Sequence, residues 1–365
     1  MPNAQLTSLL FTLRPHFDFS KSRLVTLCVL LTGLAVSRTV NLSHLACHFS
    51  GSALHRSNYR RLQRFFQFAQ IDQDVVARLV VRMLGFERCK LVLALDRTNW
   101  KLGSCDINIL VLAVITRRFR VPLMWSFLAH GGSSDHKLRC ALMDRFVRLF
   151  GAQQIEILLA DREFIGGKWL QHLNKNQVPF AIRLKSNMYL HRETGPVVQL
   201  SSLLRNPRGP KVWTGWLADT PRDEDHKLTL KCKRLKGGEA LIIATNTGNP
   251  GRAFSMYRRR WCIECLFADA KSRGLNLEDT HITNPAKLAT ILCIVTVAIT
   301  WGYKCATAAK GSAAIPQKTH GRPEKSWFRI GFDQLRSWLL NTPEMAIERW
   351  RRAIPKRSLK TVENP

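Results

Sequence analysis

Leu24, Leu27, Leu30, Leu31 and Leu34 recur every three or four positions, the spacing of one helical face. A polar break at 37–41 precedes Leu42, Leu45, Ala46 and Phe49, and Ser50-Gly51-Ser52 breaks the pattern again. The stretch 57–66 then places Arg60, Arg61 and Arg64 on a helix with an apolar face. Residues 1–85 therefore read as helical. Beyond residue 90 the period changes. Leu91 to Leu95 is a short continuous apolar run ending in Asp96, the pattern of a buried strand. Ile107–Ile115 and Val121–Leu128 flank Arg117-Arg118-Phe119-Arg120 and predict a hairpin. A helix over 138–150, a strand over Ile155–Ala160 ending in Asp161, a helix over 167–176 and a strand over 180–184 follow. Such alternation predicts a mixed sheet with helical cover.

Alternation stops near Ser186. Short runs at 197–200, 212–217, 228–233 and 241–244, broken by Pro and Gly, predict a β-rich insertion. After Pro250-Gly251 one long helix is expected to about Arg273, ended by Gly274. A buried helix near 285–303 and a Pro/Gly-punctuated tail that turns helical and basic complete the chain. The reading divides the sequence into 1–85, 86–186, 187–249, 250–307 and 308–365.

Charge changes this picture most. Lys+Arg number 56 and Asp+Glu 26, a net charge of +30. A surface so positive repels itself unless a polyanion neutralises it, which points to nucleic acid. The hydrophobic content of 45% fills a core and excludes a disordered basic tail. Residues 1–85 carry 10 Lys/Arg against 3 Asp. Short helix, turn, basic helix is the order of a helix-turn-helix reader, with Arg60, Arg61 and Arg64 as the DNA-contacting residues. The plainer alternative is a solvated amphipathic helix. Leu24–Val36 and Leu288–Trp301 are apolar, yet a spanning helix needs about 20 residues, so both read as buried helices with no membrane partner. With no export signal evident, the chain is expected in the cytoplasm, with the chromosome. Ten scattered cysteines read as reduced thiols. Cys262 and Cys265 form a lone CxxC, weak as a zinc signal without a second pair.

Asp96 and Asp161 each end an apolar strand run, and ligand sites in open sheets lie at strand carboxyl ends. A carboxylate there is costly to bury without a cation nearby. Either aspartate alone reads equally as a turn former; two strands ending alike weigh against that. Tyr257, Arg260, Glu264 and Lys271 are offset by 0, 3, 7 and 14 residues. At about 100° per residue they fall within an arc of roughly 60°. One stripe thus presents an acid, two cations and a phenol, unless it is merely a solvated face with an Arg260–Glu264 pair worth about 0.3–0.5 kcal/mol. Three carboxylates suit two Mg²⁺ ions about 3.5–4 Å apart, activating a water or 3′-hydroxyl for in-line phosphoryl transfer. Oxygen-only ligation selects Mg²⁺, with Mn²⁺ able to substitute, over zinc.

The run Tyr257-x2-Arg260-x3-Glu264-x6-Lys271 matches the YREK signature of a family of bacterial insertion-sequence transposases, the fourth in the usual classification. Leu95-Asp96-Arg97-Thr98-Asn99-Trp100 resembles its first-acid motif and Asp161-Arg162-Glu163-Phe164 its second. The resemblance spans about 90–305. It implies an α/β fold: an RNase H-like, retroviral-integrase-like catalytic core with a β-rich insertion, preceded by an all-helical DNA-binding domain and followed by a helical C-terminal region. It also implies a DDE transposase that cuts and pastes a DNA element, often through hairpin ends. Asp96, Asp161 and Glu264 would be the catalytic metal ligands, and Tyr257, Arg260 and Lys271 would hold DNA phosphates at the element end.

In that family the signature also helps hold a flipped base, and Trp213 or Trp216 would supply a stacking wedge. Arg162 is a further phosphate candidate. Glu163 is set aside as a ligand because neighbouring side chains on a strand point apart; Trp100 is expected to pack beneath the first acid, and His130 to be a loop residue. The partners expected are double-stranded DNA, both terminal inverted repeats and target, and a second copy in a synaptic homodimer, with the C-terminal basic helix as a candidate contact. The rival readings are a stand-alone RNase H-like nuclease or resolvase, and an inactive DNA-binding repressor.

Overall fold

The structure, a computed structural model, describes residues 3–352 apart from 129–130, 133, 207–210 and 320. His130 and much of the C-terminal basic run thus lie outside the described residues. The chain opens with five helices: α1 (Asn3–Leu13), α2 (Lys21–Ser37), α3 (Leu42–Ala46), α4 (His55–Phe68) and α5 (Gln73–Met83). The leucines that predicted α2 are buried along it. Asn41 and Asp72 cap α3 and α5 by accepting backbone N–H bonds, which fixes where those helices start. Residues 47–54 separate α3 from α4. That is longer than the three- or four-residue turn of a helix-turn-helix, and the chain bends within it at Gly51 and Ser52.

The second part carries β1 (Leu91–Leu102), β2 (Cys105–Ile115), β3 (Arg120–Phe127), α6 (His136–Phe150), β4 (Ile155–Ala160), α7 (Gly167–Lys175) and β5 (Phe180–Arg183). It continues with β6 (Tyr189–Arg192), β7 (Val198–Gln199), β8 (Val212–Leu217), β9 (Leu228–Arg234), β10 (Ala240–Thr245), α8 (Pro250–Tyr257) and α9 (Trp261–Ala270). Among the described residues ten strands form one sheet in the order β3-β2-β1-β4-β5-β10-β9-β8-β6-β7. β1, β4 and β5 run parallel, β2 and β3 form the expected antiparallel hairpin, and the strands of the 187–249 stretch extend the same sheet through β10 against β5. Leu91 to Leu95 and Ile157 to Ala160 are buried, as parallel strands covered on both faces must be. At Gly215 a Cβ would meet the His191 carbonyl oxygen at 2.1 Å, so only glycine lets β8 approach β6.

Three more helices follow among the described residues: α10 (Pro285–Lys310), α11 (Trp327–Asn341) and α12 (Pro343–Arg352). Asn284 caps α10 with Pro285 in its first turn. By length and composition α10 is long enough to cross a membrane, but 89% of its apolar window is buried, and it packs against α2, α5 and α11. Gly302 and Gly331 bring α10 and α11 into backbone contact: a Cβ on Gly331 would sit 2.3 Å from the Gly302 carbonyl oxygen. By contact the chain forms two compact units. One gathers the N-terminal helices with residues 267 onward; the other holds the sheet, α6 to α8 and the start of α9.

Candidate active site

In the parallel β1–β4 pair Leu95 lies opposite Ala160. Asp96 and Asp161 are the next residue on each strand, side by side at the spacing of neighbouring strands, about 4.8 Å. β1 does not stop at Asp96, as its apolar run suggested, but continues to Leu102 because its far half pairs with β2. Asp161 alone ends its strand.

The single long helix expected from 250 to 273 is interrupted. A 3-10 turn over Arg258–Arg260 separates α8 from α9, and α9 ends at Ala270. A 3-10 turn aligns residues three apart. Tyr257 and Arg260 thereby point the same way. The Tyr257 hydroxyl donates to Asp161 Oδ1 at 3.4 Å. Arg260 Nη1 donates to Asp96 Oδ2 at 3.3 Å, while Nη2 hydrogen-bonds Glu264 Oε1. One guanidinium therefore spans the first acid and the glutamate. Lys271, beyond the helix end, instead pairs with Glu278 at 3.2 Å.

Burial sets the electrostatics. It pushes the Asp96 carboxyl up to about 6, reinforced by Glu163 and Asp161 and opposed by the Arg97 N–H and Arg260. Burial, then the neighbouring Asp161 charge, holds the Tyr257 phenol far above its usual value, so it stays a hydrogen-bond donor. Burial works against the Arg260 charge but is outweighed by Tyr257, Glu264, Asp161 and Asp96. The donors are all oxygens, which suits a hard divalent cation, and Asp96 is a half-buried carboxylate whose charge needs more compensation than Arg260 supplies. Among the described residues, however, no three such side chains already converge on one point. Arg260 lies where Asp96 and Glu264 would share an ion.

Around the acids stands a clamp that sequence reading missed. Arg97 holds Glu163 through both oxygens, at 2.5 and 2.9 Å, and also reaches Asn108 Oδ1 at 3.2 Å and the Gly132 carbonyl. Arg139, buried on α6, binds Ser134 Oγ at 2.9 Å, the Ser134 carbonyl and the Ile165 carbonyl, and lies over the Phe164 ring. The adjacency of Arg97 to Asp96 was the only signal for the first; nothing in the pattern marks the second.

Arg162 is exposed beside Asp161. Trp100 is buried. Trp213 is half-buried with Arg192 over its ring, and the Trp216 indole donates to the Asp223 carbonyl at 2.7 Å. Cys262 and Cys265 are half-buried free thiols on α9. In the helical unit, Arg60 and Arg64 line a cavity of about 740 Å³ with Tyr59, Phe68, His281 and Lys287. Arg61 is not among them; it reaches the Ser22 carbonyl at 3.5 Å and covers Phe49.

No curated protein matches the sequence. The profile of the transposase DDE domain family matches residues 87–301, more than half of the chain and all of the acid site.

Proposed function

Since the chain belongs to the transposase DDE domain family, we propose that it cleaves DNA at the ends of a mobile element and joins them to a target. The observation that carries the reading is the meeting of Asp96, Asp161, Tyr257, Arg260 and Glu264 in one place from three separate stretches of chain. Its finer assignment is the insertion-sequence family with the YREK signature, cut-and-paste in mode and passing through hairpin ends.

DDE transposases generally use divalent metal ions. Asp96, Asp161 and Glu264 would hold two Mg²⁺ here, and when bound these would lower the pKa of a water or 3′-hydroxyl and stabilise the leaving oxygen. The chain's own residues do the rest. Tyr257 keeps its proton and orients Asp161. Arg260 stays charged and serves as the internal counter-ion of Asp96 and Glu264. A DNA phosphate competes for that guanidinium, and its transfer from carboxylates to phosphate frees both acids when substrate arrives. Arg162 adds a cation for the same backbone, Lys271 is a further phosphate contact by its place in the YREK signature, and Trp213 offers an aromatic face to a flipped base.

The DNA partners proposed are the terminal inverted repeats, the target duplex and, through Arg60 and Arg64, a further phosphate contact on the helical unit. A homodimer holding two ends, in the cytoplasm, completes the reading. The test is a labelled element end incubated with a target plasmid and Mg²⁺. Joined product supports the transposase; nicks without joining favour the stand-alone nuclease, and binding without cleavage the repressor.

A further inference from the structure

A second basic site lies on the same unit as the acids, one helical turn away along α8. A cavity of about 390 Å³ is lined by Leu204, Lys211, Lys231, Lys233, Arg234 and Phe254, with no acidic side chain among its lining residues. Phe254 stands three positions before Tyr257, so one helix reaches both the cavity and Asp161. Sheet register gives the same connection. Arg183 on β5 lies opposite Ile243, Ile243 opposite Lys231, and Lys231 opposite Val212, one row across four strands. The Arg183 charge acts on the Tyr257 phenol at one end of the row. Lys231 lies two strands further on, about 10 Å.

Within β9 the faces alternate. Leu228, Leu230 and Cys232 are buried on one face, Lys231 is half-buried and Lys233 exposed on the other, and the pattern ends at the exposed Arg234. Burial pushes the Cys232 thiol up to about 12 despite Lys231 and Lys211 nearby, so it adds no negative charge. Arg234 is held by the Gly238 and Leu204 carbonyls at 2.9 and 3.2 Å and shapes the wall. Lys211 reaches the Asn206 carbonyl at 3.4 Å. Two residues of strand separate Lys231 from Lys233 by about 6.8 Å, so their two ammonium groups can reach successive phosphates of one backbone.

We propose that this lysine face of β9 is a phosphate track that holds one backbone of duplex DNA beside the acid site. The proposal rests on the transposase reading for its choice of duplex DNA; its charge pattern and spacing stand apart from the catalytic residues. Neither lysine touches the acids, so substituting them leaves the carboxylate geometry intact.

The experiment measures affinity of the full chain for a fluorescein-labelled 40-bp duplex, without divalent metal, from about 50 to 300 mM KCl. The variants are Lys231→Gln/Lys233→Gln and a control, Lys310→Gln/Lys318→Gln, which removes the same charge from the helical unit. Loss of two phosphate contacts lowers the slope of log K against log[salt] by about 1.8. A drop of one or more beyond the control supports the track; a smaller drop overturns it. Thermal unfolding identical to the parent shows that the variant is folded. Cleavage by Glu264→Gln is measured in parallel. If that variant still cuts DNA, the reading of the acids fails whatever the lysines do. If it is dead while the lysine variant keeps its full slope, only the track fails.

Discussion

Arg97 and Glu163 bind each other through two parallel hydrogen bonds, and each stands within two residues of an acid, Arg97 after Asp96 and Glu163 after Asp161. The pair ties the turn that follows β4 to the middle of β1. Planar, two-pronged pairing is a property of guanidinium that an ammonium does not reproduce. Arg97→Ala, and almost equally Arg97→Lys, is expected to lower cleavage about 10–100-fold with DNA affinity unchanged within about twofold. Single-turnover cleavage with saturating DNA checks it; full activity in the lysine variant would show that the fork is unnecessary.

Asp96 makes the metal-free protein sensitive to pH. Well below pH 4, under the unfolded pKa, its carboxyl is protonated in both the folded and the unfolded chain, and burial costs nothing extra. As pH rises towards 6 the unfolded chain ionises first, so the folded state loses up to about 3 kcal/mol, a loss complete above pH 6. In EDTA, Asp96→Asn should therefore be more stable than the parent at pH 7.5, with the difference shrinking towards pH 4. Urea unfolding at the two pH values reads this directly. A difference that does not change with pH removes Asp96 as its source.

Arg260 is expected to matter before any DNA is bound. Its side chain is only 13% exposed and neutralises two carboxylates. Arg260→Ala leaves their charges uncompensated, and removing one partner of these part-exposed pairs costs about 1–3 kcal/mol. Millimolar Mg²⁺ should restore more stability to this variant than to the parent, because the ion replaces the missing cation. Thermal melts with and without Mg²⁺ make the comparison; equal shifts in both proteins would mean that the carboxylates do not cooperate in binding the ion.

Gly331→Ala tests the helical unit. The added methyl meets the Gly302 carbonyl at 2.3 Å, and overpacking of this kind costs about 1–3 kcal/mol. The melting temperature should fall, while a matched change at Gly237, with open space around it, should leave it nearly unchanged.

The positions of Asp96 and Asp161 were legible because each follows from a strong local signal. Leu91–Leu95 and Ile155–Ala160 are apolar runs that only buried strands explain, and parallel pairing then places Asp96 beside Asp161. The break at Arg258–Arg260 was hidden, since the Tyr257-to-Lys271 spacing suits an unbroken helix equally well. The extension of β1 beyond Asp96 was hidden too, because its outer half alternates weakly and takes its partner from β2. β6 is too short to show a period. The fork of Arg97 and Glu163 joins residues 66 positions apart, and the setting of Arg139 depends on loops that only the folded chain brings together.

Leu184 donates its backbone N–H to Ile242, and Arg183 faces Ile243. The polypeptide thus leaves β5 and comes back as β10 immediately alongside, after a detour through four other strands. A tight reverse turn joining residue 184 to 241 would bypass that detour and keep β3-β2-β1-β4-β5-β10 in order, with both aspartates on untouched strands. Topologically the detour is a graft, and its gain or loss in a lineage need not disturb the strands that carry the chemistry.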